Sequence, residues 1–321
     1  MSVGGPSGLS GRRVLVTGGA GFLGQAVLER LAPESCATVA APSHAEADLR
    51  DGAVATTLFR TLRPEVVVHL AARVGGIGAN ERHPAVFWRD NLLMGVNVLE
   101  AAHRAGVGRL VVVGTVCAYP KFTEVPFREA DLWNGYPEET NAPYGVAKRA
   151  LAVGLDAYRR EFGLSSAFLL PANLYGPRDD FDPETSHVIA AMVRKCVEAV
   201  DANADRVALW GTGRPSREFL FVRDAADAIV RAAGSIDDPA PMNLGTGQEV
   251  TMRDLSALVA EATGFHGEFT WDPARPDGQP RRSLDTGEAR RRMAWQASTT
   301  LRDGLRETVA WFRADRGTSA G

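Results

Sequence analysis

Short apolar runs alternate with helical patterns through the first half of the chain. Arg13–Thr17 is a β-branched run that leads into glycines, and residues 66–70 and 110–113 are further apolar runs of strand length. Helix-length patterns lie between and after them at Phe22–Leu31, 53–62, 86–105 and 144–162. Strands apolar on both faces, alternating with helices, predict a parallel sheet covered on both sides. Past about residue 171 the texture changes. Pro, Gly and charge become denser at 175–184, 211–216 and 272–282, while helical patterns continue at 187–200, 224–233, 253–263 and 301–312. This predicts a smaller, mixed α/β domain that caps the sheet. The expected division is 1–172 with 219–248 for the sheet domain, and 173–218 with 249–321 for the cap. No internal repeat or low-complexity tract is visible.

Composition narrows the class. The chain has 321 residues, 45% hydrophobic and 23% charged, enough to bury a sizeable core. A net charge of −3 argues against nucleic acid or an anionic membrane surface as the main partner. No apolar run approaches the roughly 20 residues that span a bilayer. Residues 1–11 are rich in Gly and Ser, without an apolar leader core, and read as a loose lead-in. Cys36, Cys117 and Cys196 are too few and scattered for a disulfide framework or a zinc site. The expectation is a reducing, cytoplasmic setting with no metal.

The first chemical signal follows the first strand. Gly18, Gly21 and Gly24 form G-x-x-G-x-x-G, and Phe22 and Leu23 open the helix. Gly18 permits a tight turn, Gly21 lets a pyrophosphate approach the backbone, and Gly24 lets helix and strand pack closely. The free N–H groups and positive dipole end of that helix then face the phosphates. In this strand–turn–helix context the motif predicts a dinucleotide site on a Rossmann-type, doubly wound parallel sheet. The alternative is a tight structural turn, which leaves a mixed α+β domain open.

The second signal is Tyr144-Gly145-Val146-Ala147-Lys148. Four residues apart on a helix, Tyr144 and Lys148 share a face. A tyrosine with a pKa near ~10 is a poor acid–base catalyst at neutral pH. A nearby ammonium favours the phenolate and is expected to lower that value. Thr115, just past the 110–113 strand, offers a hydroxyl to the same substrate oxygen. The alternative is an exposed helical pair. Together with the glycine turn, the set predicts hydride transfer between a nicotinamide and a sugar carbon, with Tyr144 moving the proton.

These motifs resemble the extended short-chain dehydrogenase/reductase superfamily. Asp48 and Leu49 resemble its adenine-contacting pair, and His69 to Ala72 the segment that lines the cofactor. Six segments resemble, more narrowly, the GDP-L-fucose synthase family: 74–80, 115–120, 173–181, 186–189, 210–219 and 276–282. The resemblance runs from about residue 13 to 312. It implies 3,5-epimerisation and then 4-reduction of a GDP-4-keto-6-deoxyhexose. Inverting carbons 3 and 5, both acidified by the C4 ketone, needs a base on one face and an acid on the other, and a thiolate and a histidine suit this near neutral pH. By resemblance Cys117 is the base and His187 the acid, with Thr115, Tyr144 and Lys148 at the ketone oxygen.

The resemblance further implies cofactor contacts at Ser43, His44, Leu70, Ala71, Ala72, Tyr144, Lys148, Pro171, Asn173 and Leu174, with Lys148 able to reach a nicotinamide ribose. It implies substrate contacts at Val74, Gly75, Asn173, His187, Lys195, Trp210, Arg217, Asp277 and Arg282, with Arg178 a further phosphate candidate. Without that context, a cysteine after a strand is more often a small buried residue and a loop arginine is solvated charge. Val116, Arg178, Asp180 and Arg223 stand where the family usually has Ser, His, Asn and Asp. NADP(H) is favoured over NAD(H), since no acidic residue directly follows the second strand and Ser43 and His44 suit a 2′-phosphate. A homodimer built on helices 86–105 and 144–162 is implied. The competing readings are a single-function epimerase or 4-keto reductase on another nucleotide sugar, and a non-catalytic NADP-binding protein, for which an intact Tyr–Lys set is unexpected.

Overall fold

The computed structural model describes residues 8–275 and 277–319, so the readings that touch residues 1–7 and Pro276 lie outside the described residues. The first half runs β1 (Arg13–Thr17), α1 (Phe22–Leu31), β2 (Thr38–Ala40), α2 (Gly52–Leu62), β3 (Val66–His69), α3 (Ile77–Arg82), α4 (Pro84–Arg104), β4 (Arg109–Val113), α5 (Ala142–Phe162) and β5 (Ser166–Pro171). The second half runs β6 (Asn173–Tyr175), α6 (Val188–Asp201), β7 (Arg206–Trp210), β8 (Ser216–Phe221), α7 (Val222–Ser235), β9 (Met242–Leu244), β10 (Glu249–Thr251), α8 (Met252–Thr263), β11 (Glu268–Asp272), β12 (Arg281–Arg282), α9 (Gly287–Met293) and α10 (Leu301–Ser319).

Six strands form a parallel sheet in the order β2-β1-β3-β4-β5-β9. The order reverses at β1, so the crevice outside the carboxyl ends of β1 and β3 is the switch point where such sheets bind ligands. β3 and β5 are buried on both faces, which accounts for their unbroken apolar character. The helix ends follow local chemistry. Asp51 caps α2 by accepting the Ala53 N–H at 2.7 Å, and Gly163 ends α5 in the left-handed region at φ 71°.

A second group of strands centres on β8, which pairs antiparallel with β10 and parallel with β6 and β12. β7 and β11 form a separate parallel pair. Tyr175, Val193, Cys196, Leu255, Val259 and Leu305 belong to a second apolar core under α6, α8 and α10. Leu284, Ala289, Met293 and Trp295 pack instead on the first core, although that stretch was expected in the cap. The helix expected over 187–200 starts one residue later, with His187 as its N-cap. α3 and α9 are absent from the sequence reading because, at six and seven residues, neither is long enough to show a periodic stripe.

Candidate active site

β1 ends at the switch point, and Gly18 turns the chain there at φ 76°. A Cβ on Gly18 would lie 2.7 Å from the Ala71 amide nitrogen, so the turn seats against the segment after β3 only without a side chain. A Cβ on Gly24 would lie 2.1 Å from the Gly18 carbonyl oxygen. Gly21 is the N-cap of α1 with no side-chain cap, and Phe22 and Leu23 follow it half-buried. The first N–H groups of α1 are thus left to an anion. Behind the turn is a cavity of about 60 Å³ lined by Thr17, Gly18, Pro42, His44, Ala47, Leu49, Leu58, Ala71 and Met94. It gathers Gly18, His44, Leu49 and Ala71, four of the expected cofactor contacts. A cradle without side chains and an uncapped helix end fit a dinucleotide.

The rest of the cofactor set is distributed around this turn. Leu70 and Ala72 follow β3 half-buried, and the Leu70 N–H donates to the Thr17 carbonyl at 3.0 Å. Pro171 ends β5, and Asn173 and Leu174 lie in β6, where Asn173 Nδ2 donates to the Glu218 carbonyl at 2.8 Å. Asp48 is turned to a neighbouring arginine. It clasps Arg50 at 2.9 and 2.6 Å, and that bond holds its carboxyl down at about 2. The Ser43 hydroxyl is engaged by Glu46 at 2.8 Å.

Behind the Tyr–Lys pair, His69 is buried with Nδ1 2.8 Å from Thr17 Oγ1. Burial first, and the Lys148 ammonium second, lower its pKa to about 3, so the ring is neutral. Its Nε2 is buried without a partner.

α5 brings Tyr144 and Lys148 to the segment after β4. A Cβ on Gly145 would lie 2.5 Å from the Cys117 carbonyl oxygen, which is how the helix comes so close. Lys148 donates from Nζ to the Val113 carbonyl at 3.0 Å, and burial lowers its pKa to about 8. The expected lowering of the Tyr144 pKa is not what the geometry gives. Burial first, and Cys117 second, raise it, while a hydrogen bond with Thr115 opposes them. With Lys148 directed at a backbone carbonyl, the phenol stays protonated at neutral pH and is suited to donating a proton.

Thr115 caps a short turn, Val116–Ala118, by accepting the Cys117 N–H at 3.2 Å. Val116 points into the first core and is not a lining residue, so its difference from the family's serine falls on packing. Cys117 is half-buried, and Arg282 reaches its Sγ from Nη1 at 3.4 Å. Gln279 holds the Arg282 guanidinium with Oε1 at 3.2 and 3.1 Å, and is itself anchored by donating to the Lys121 carbonyl at 2.7 Å. Arg217 is the register partner of Arg282 across β8 and β12. Burial first, and Arg282 second, lower its pKa to about 10, and it donates to the Asp277 carbonyl at 3.2 Å. Cys196 is buried in the second core, where desolvation pushes its thiol up to about 12, and burial raises Cys36 as well.

The remaining candidates lie at the start of α6, on the segment facing it, and around β7. His187 is exposed at the start of α6, on a loop tied to the 74–80 segment by the Gly76 N–H donating to Thr185 at 3.3 Å. Among the described residues it makes no hydrogen bond to Cys117. Val74 is exposed and Gly75 half-buried on the facing segment. Trp210 is exposed with the Arg275 guanidinium 4.8 Å from its ring centroid. Lys195 donates to the Ala208 carbonyl at 2.8 Å, and the Asp277 carboxylate accepts from the Thr212 N–H and hydroxyl at 2.7 and 2.8 Å. Arg178 is not with the arginine pair but is ion-paired to Glu29 on α1.

Known proteins share this fold. Residues 14–245 match the NAD dependent epimerase/dehydratase family. A probable GDP-L-fucose synthase 1 of Oryza sativa subsp. japonica is 41% identical over 303 residues, covering 94% of this chain and 92% of the relative. The chain belongs to the GDP-L-fucose synthase family. A gdp-l-fucose synthetase of Naegleria fowleri, solved bound to NADP, superposes with a TM-score of 0.87 at 29% identity, over 95% of this chain and 93% of that one. A GDP-6-OMe-4-keto-L-xylo-heptose reductase from C. jejuni superposes with a TM-score of 0.89 at 26% identity, over 97% and 100%. Members of this family are NAD(P)-dependent enzymes, and this chain is one.

Some residues that support the candidate site escaped sequence reasoning. Gln279 sits in a Pro- and Gly-rich loop, and only the fold shows it holding Arg282. Glu218, next to Arg217, is buried and accepts the Gly247 and Leu284 N–H groups at 2.8 and 2.7 Å. It joins β8 to both flanking loops, a long-range role that carries no local signal.

Proposed function

We propose that this enzyme carries out 3,5-epimerisation and then 4-reduction of a GDP-4-keto-6-deoxyhexose, giving a GDP-L-fucose-type product. The observation that carries the reading is a thiol, Cys117, set between the Thr115–Tyr144 hydroxyl pair and the Arg282 guanidinium. In epimerisation Cys117 takes a proton from carbon 3 or 5, the Thr115 and Tyr144 hydroxyls hold the enolate oxygen, and His187 returns a proton on the other face. In reduction a dinucleotide held at the Gly18, Gly21 and Gly24 turn would supply hydride for carbon 4, and Tyr144 would give its proton to the oxygen. Arg217 and Arg282, adjacent on β8 and β12, suit the diphosphate, because guanidinium forks match phosphate oxygens. Trp210 and Lys195 are the proposed contacts beyond it.

NADP(H) is the proposed cofactor, on the strength of Ser43 and His44 beside the cavity at β2 and of the NADP-bound relative. A homodimer is proposed through α4 and α5. Leu93, Val96, Val153 and Phe162 are exposed on those two helices, an apolar face that a second copy would cover. No helix among the described residues is long and apolar enough to cross a membrane.

Supplying GDP-4-keto-6-deoxy-mannose with NADPH, following NADPH consumption and identifying the sugar by NMR tests the reading. GDP-L-fucose is the expected product. A 4-reduced sugar with the original configuration at carbons 3 and 5 overturns it in favour of a 4-keto reductase.

A further inference from the structure

Gln279, in the loop before β12, is buried and uses both ends of its amide. Its Nε2 donates to the Lys121 carbonyl at 2.7 Å, which turns Oε1 towards Arg282. Arg282 donates to that oxygen from Nε at 3.2 Å and from Nη2 at 3.1 Å. The opposite amide orientation would set donors against the guanidinium, which has no acceptor, so the partners fix which end faces which. One oxygen clasping two guanidinium nitrogens fixes the direction of the remaining one. That nitrogen, Nη1, lies 3.4 Å from Cys117 Sγ.

The clasp closes a ring of contacts on the thiol. Lys121 follows Cys117 in the same segment, and its N–H donates to the Tyr136 carbonyl at 3.0 Å, so the anchor for Gln279 is itself held. The path from Cys117 to Lys121, across Gln279 to Arg282 and back to the sulfur thus sets where the guanidinium stands. A clasp is needed, because Arg217 is the register partner of Arg282 and the two like charges repel. Without the Gln279 oxygen, that repulsion would turn Arg282 from the sulfur. The guanidinium has more N–H groups than these contacts use, so the same arginine can also meet the diphosphate.

We propose that Gln279 is a positioning residue for proton removal at Cys117, holding the Arg282 guanidinium against the sulfur so that the thiolate is favoured. This deepens the proposed epimerisation and rests on it. A thiol removes a proton only as its thiolate, and a cation in contact favours that form. In the step itself the proton passes from carbon 3 or 5 to Sγ. The electron pair of the C–H bond passes into the enolate, whose oxygen the Thr115 and Tyr144 hydroxyls hold. Gln279 touches none of these atoms and acts through Arg282.

The test is alkylation of the full-length chain by iodoacetamide at pH 7, in wild type, Gln279→Met, Arg282→Met and the double variant. Peptide mass spectrometry reads Cys117, with the half-buried Cys36 as internal reference. Only the thiolate reacts. Alkylation of Cys117 relative to Cys36 should fall about tenfold in Gln279→Met. It should fall alike in Arg282→Met and no further in the double variant, because the two residues act as one unit. Proton exchange at carbons 3 and 5 should fall by a similar factor in Gln279→Met. Gln279→Thr, too short to span both partners, should behave as Gln279→Met does and guards against a Met variant that fails to fold. A residue that merely filled space would act in the opposite sense, since loosening the loop exposes the sulfur and speeds alkylation. Unchanged or faster alkylation in the Gln279 variants, or a further loss when Gln279→Met is added to Arg282→Met, overturns the assignment while leaving Cys117 as the base. A wild type that exchanges no proton overturns the proposed epimerisation, and the role given to Gln279 with it.

Discussion

Arg282 places its Nη1 3.4 Å from the sulfur of Cys117, although 165 residues separate them in the chain. The contact depends on β12 lying beside β8, which also sets Arg282 next to Arg217. A thiol and two cations thereby share one corner of the candidate site, next to the Thr115 and Tyr144 hydroxyls. This corner carries the proposed division of labour, with proton removal at Cys117 and charge control on either side of it.

Cys117→Ser should separate the two halves of the reaction. Proton exchange at carbons 3 and 5 should fall by about 10²–10⁴-fold, the usual worth of a positioned general base. Reduction of a substrate already epimerised should remain within a few-fold of wild type. Single-turnover assays on the two substrates read the split, and equal loss in both would remove Cys117 from the role of base.

Tyr144→Phe should lose both halves, because one hydroxyl serves the enolate and the reduced oxygen. A loss of about 10²–10⁴-fold in each is expected. Dinucleotide affinity should change little, since the lost hydroxyl bonds Thr115. Titration of the variant with NADP+ is the control, and weakened binding would reassign Tyr144 to cofactor positioning.

Gly24→Ala should destabilise the fold and weaken dinucleotide binding together. The new methyl would lie 2.1 Å from the Gly18 carbonyl oxygen, a backbone atom that cannot step aside. About 1–3 kcal/mol of stability should be lost, as in overpacked cores. Urea unfolding measures it, and wild-type stability in the variant would contradict the close approach of α1 to β1.

Asp179 gives a pH prediction. It is buried, its Oδ2 has no partner, and burial raises its pKa to about 7. A carboxyl raised in the folded state favours folding below its unfolded value, near ~3.9. That contribution is lost as pH rises through about 7, where the folded protein must hold a buried charge. Asp179→Asn keeps the Oδ1 that accepts the Asp180 N–H at 2.8 Å and removes the charge. The variant should therefore be more stable than wild type at pH 8, by roughly 1–3 kcal/mol, with the gain shrinking towards pH 4. Urea midpoints across that range test it, and a gain independent of pH would point away from the carboxylate.

The alternation of apolar runs and helices was legible because both faces of the sheet are covered, and because Gly18 and Gly24 sit where backbone meets backbone. Tyr144 and Lys148 were legible as a helical pair, but the direction of Lys148 was not, since its partner is the Val113 carbonyl 35 residues earlier. Arg217 and Arg282 could be picked as cations, yet their adjacency comes from a two-residue strand, too short to leave a pattern. The place of Arg178 was not legible for a related reason. Its left-handed backbone, at φ 67°, accompanies an ion pair with Glu29, a partner 149 residues away that no local rule supplies.

The central claim is that Cys117 and the Tyr144 set act on one ketone. It is tested most directly by running the reaction on GDP-4-keto-6-deoxy-mannose with NADPH in deuterated water and locating deuterium by NMR. Deuterium at both carbons 3 and 5 of a 4-reduced sugar, with reduction but no deuterium for Cys117→Ser acting on the same ketone, is the predicted result. A wild-type product that is reduced and free of deuterium would contradict the account and leave Cys117 and His187 without a part in the chemistry.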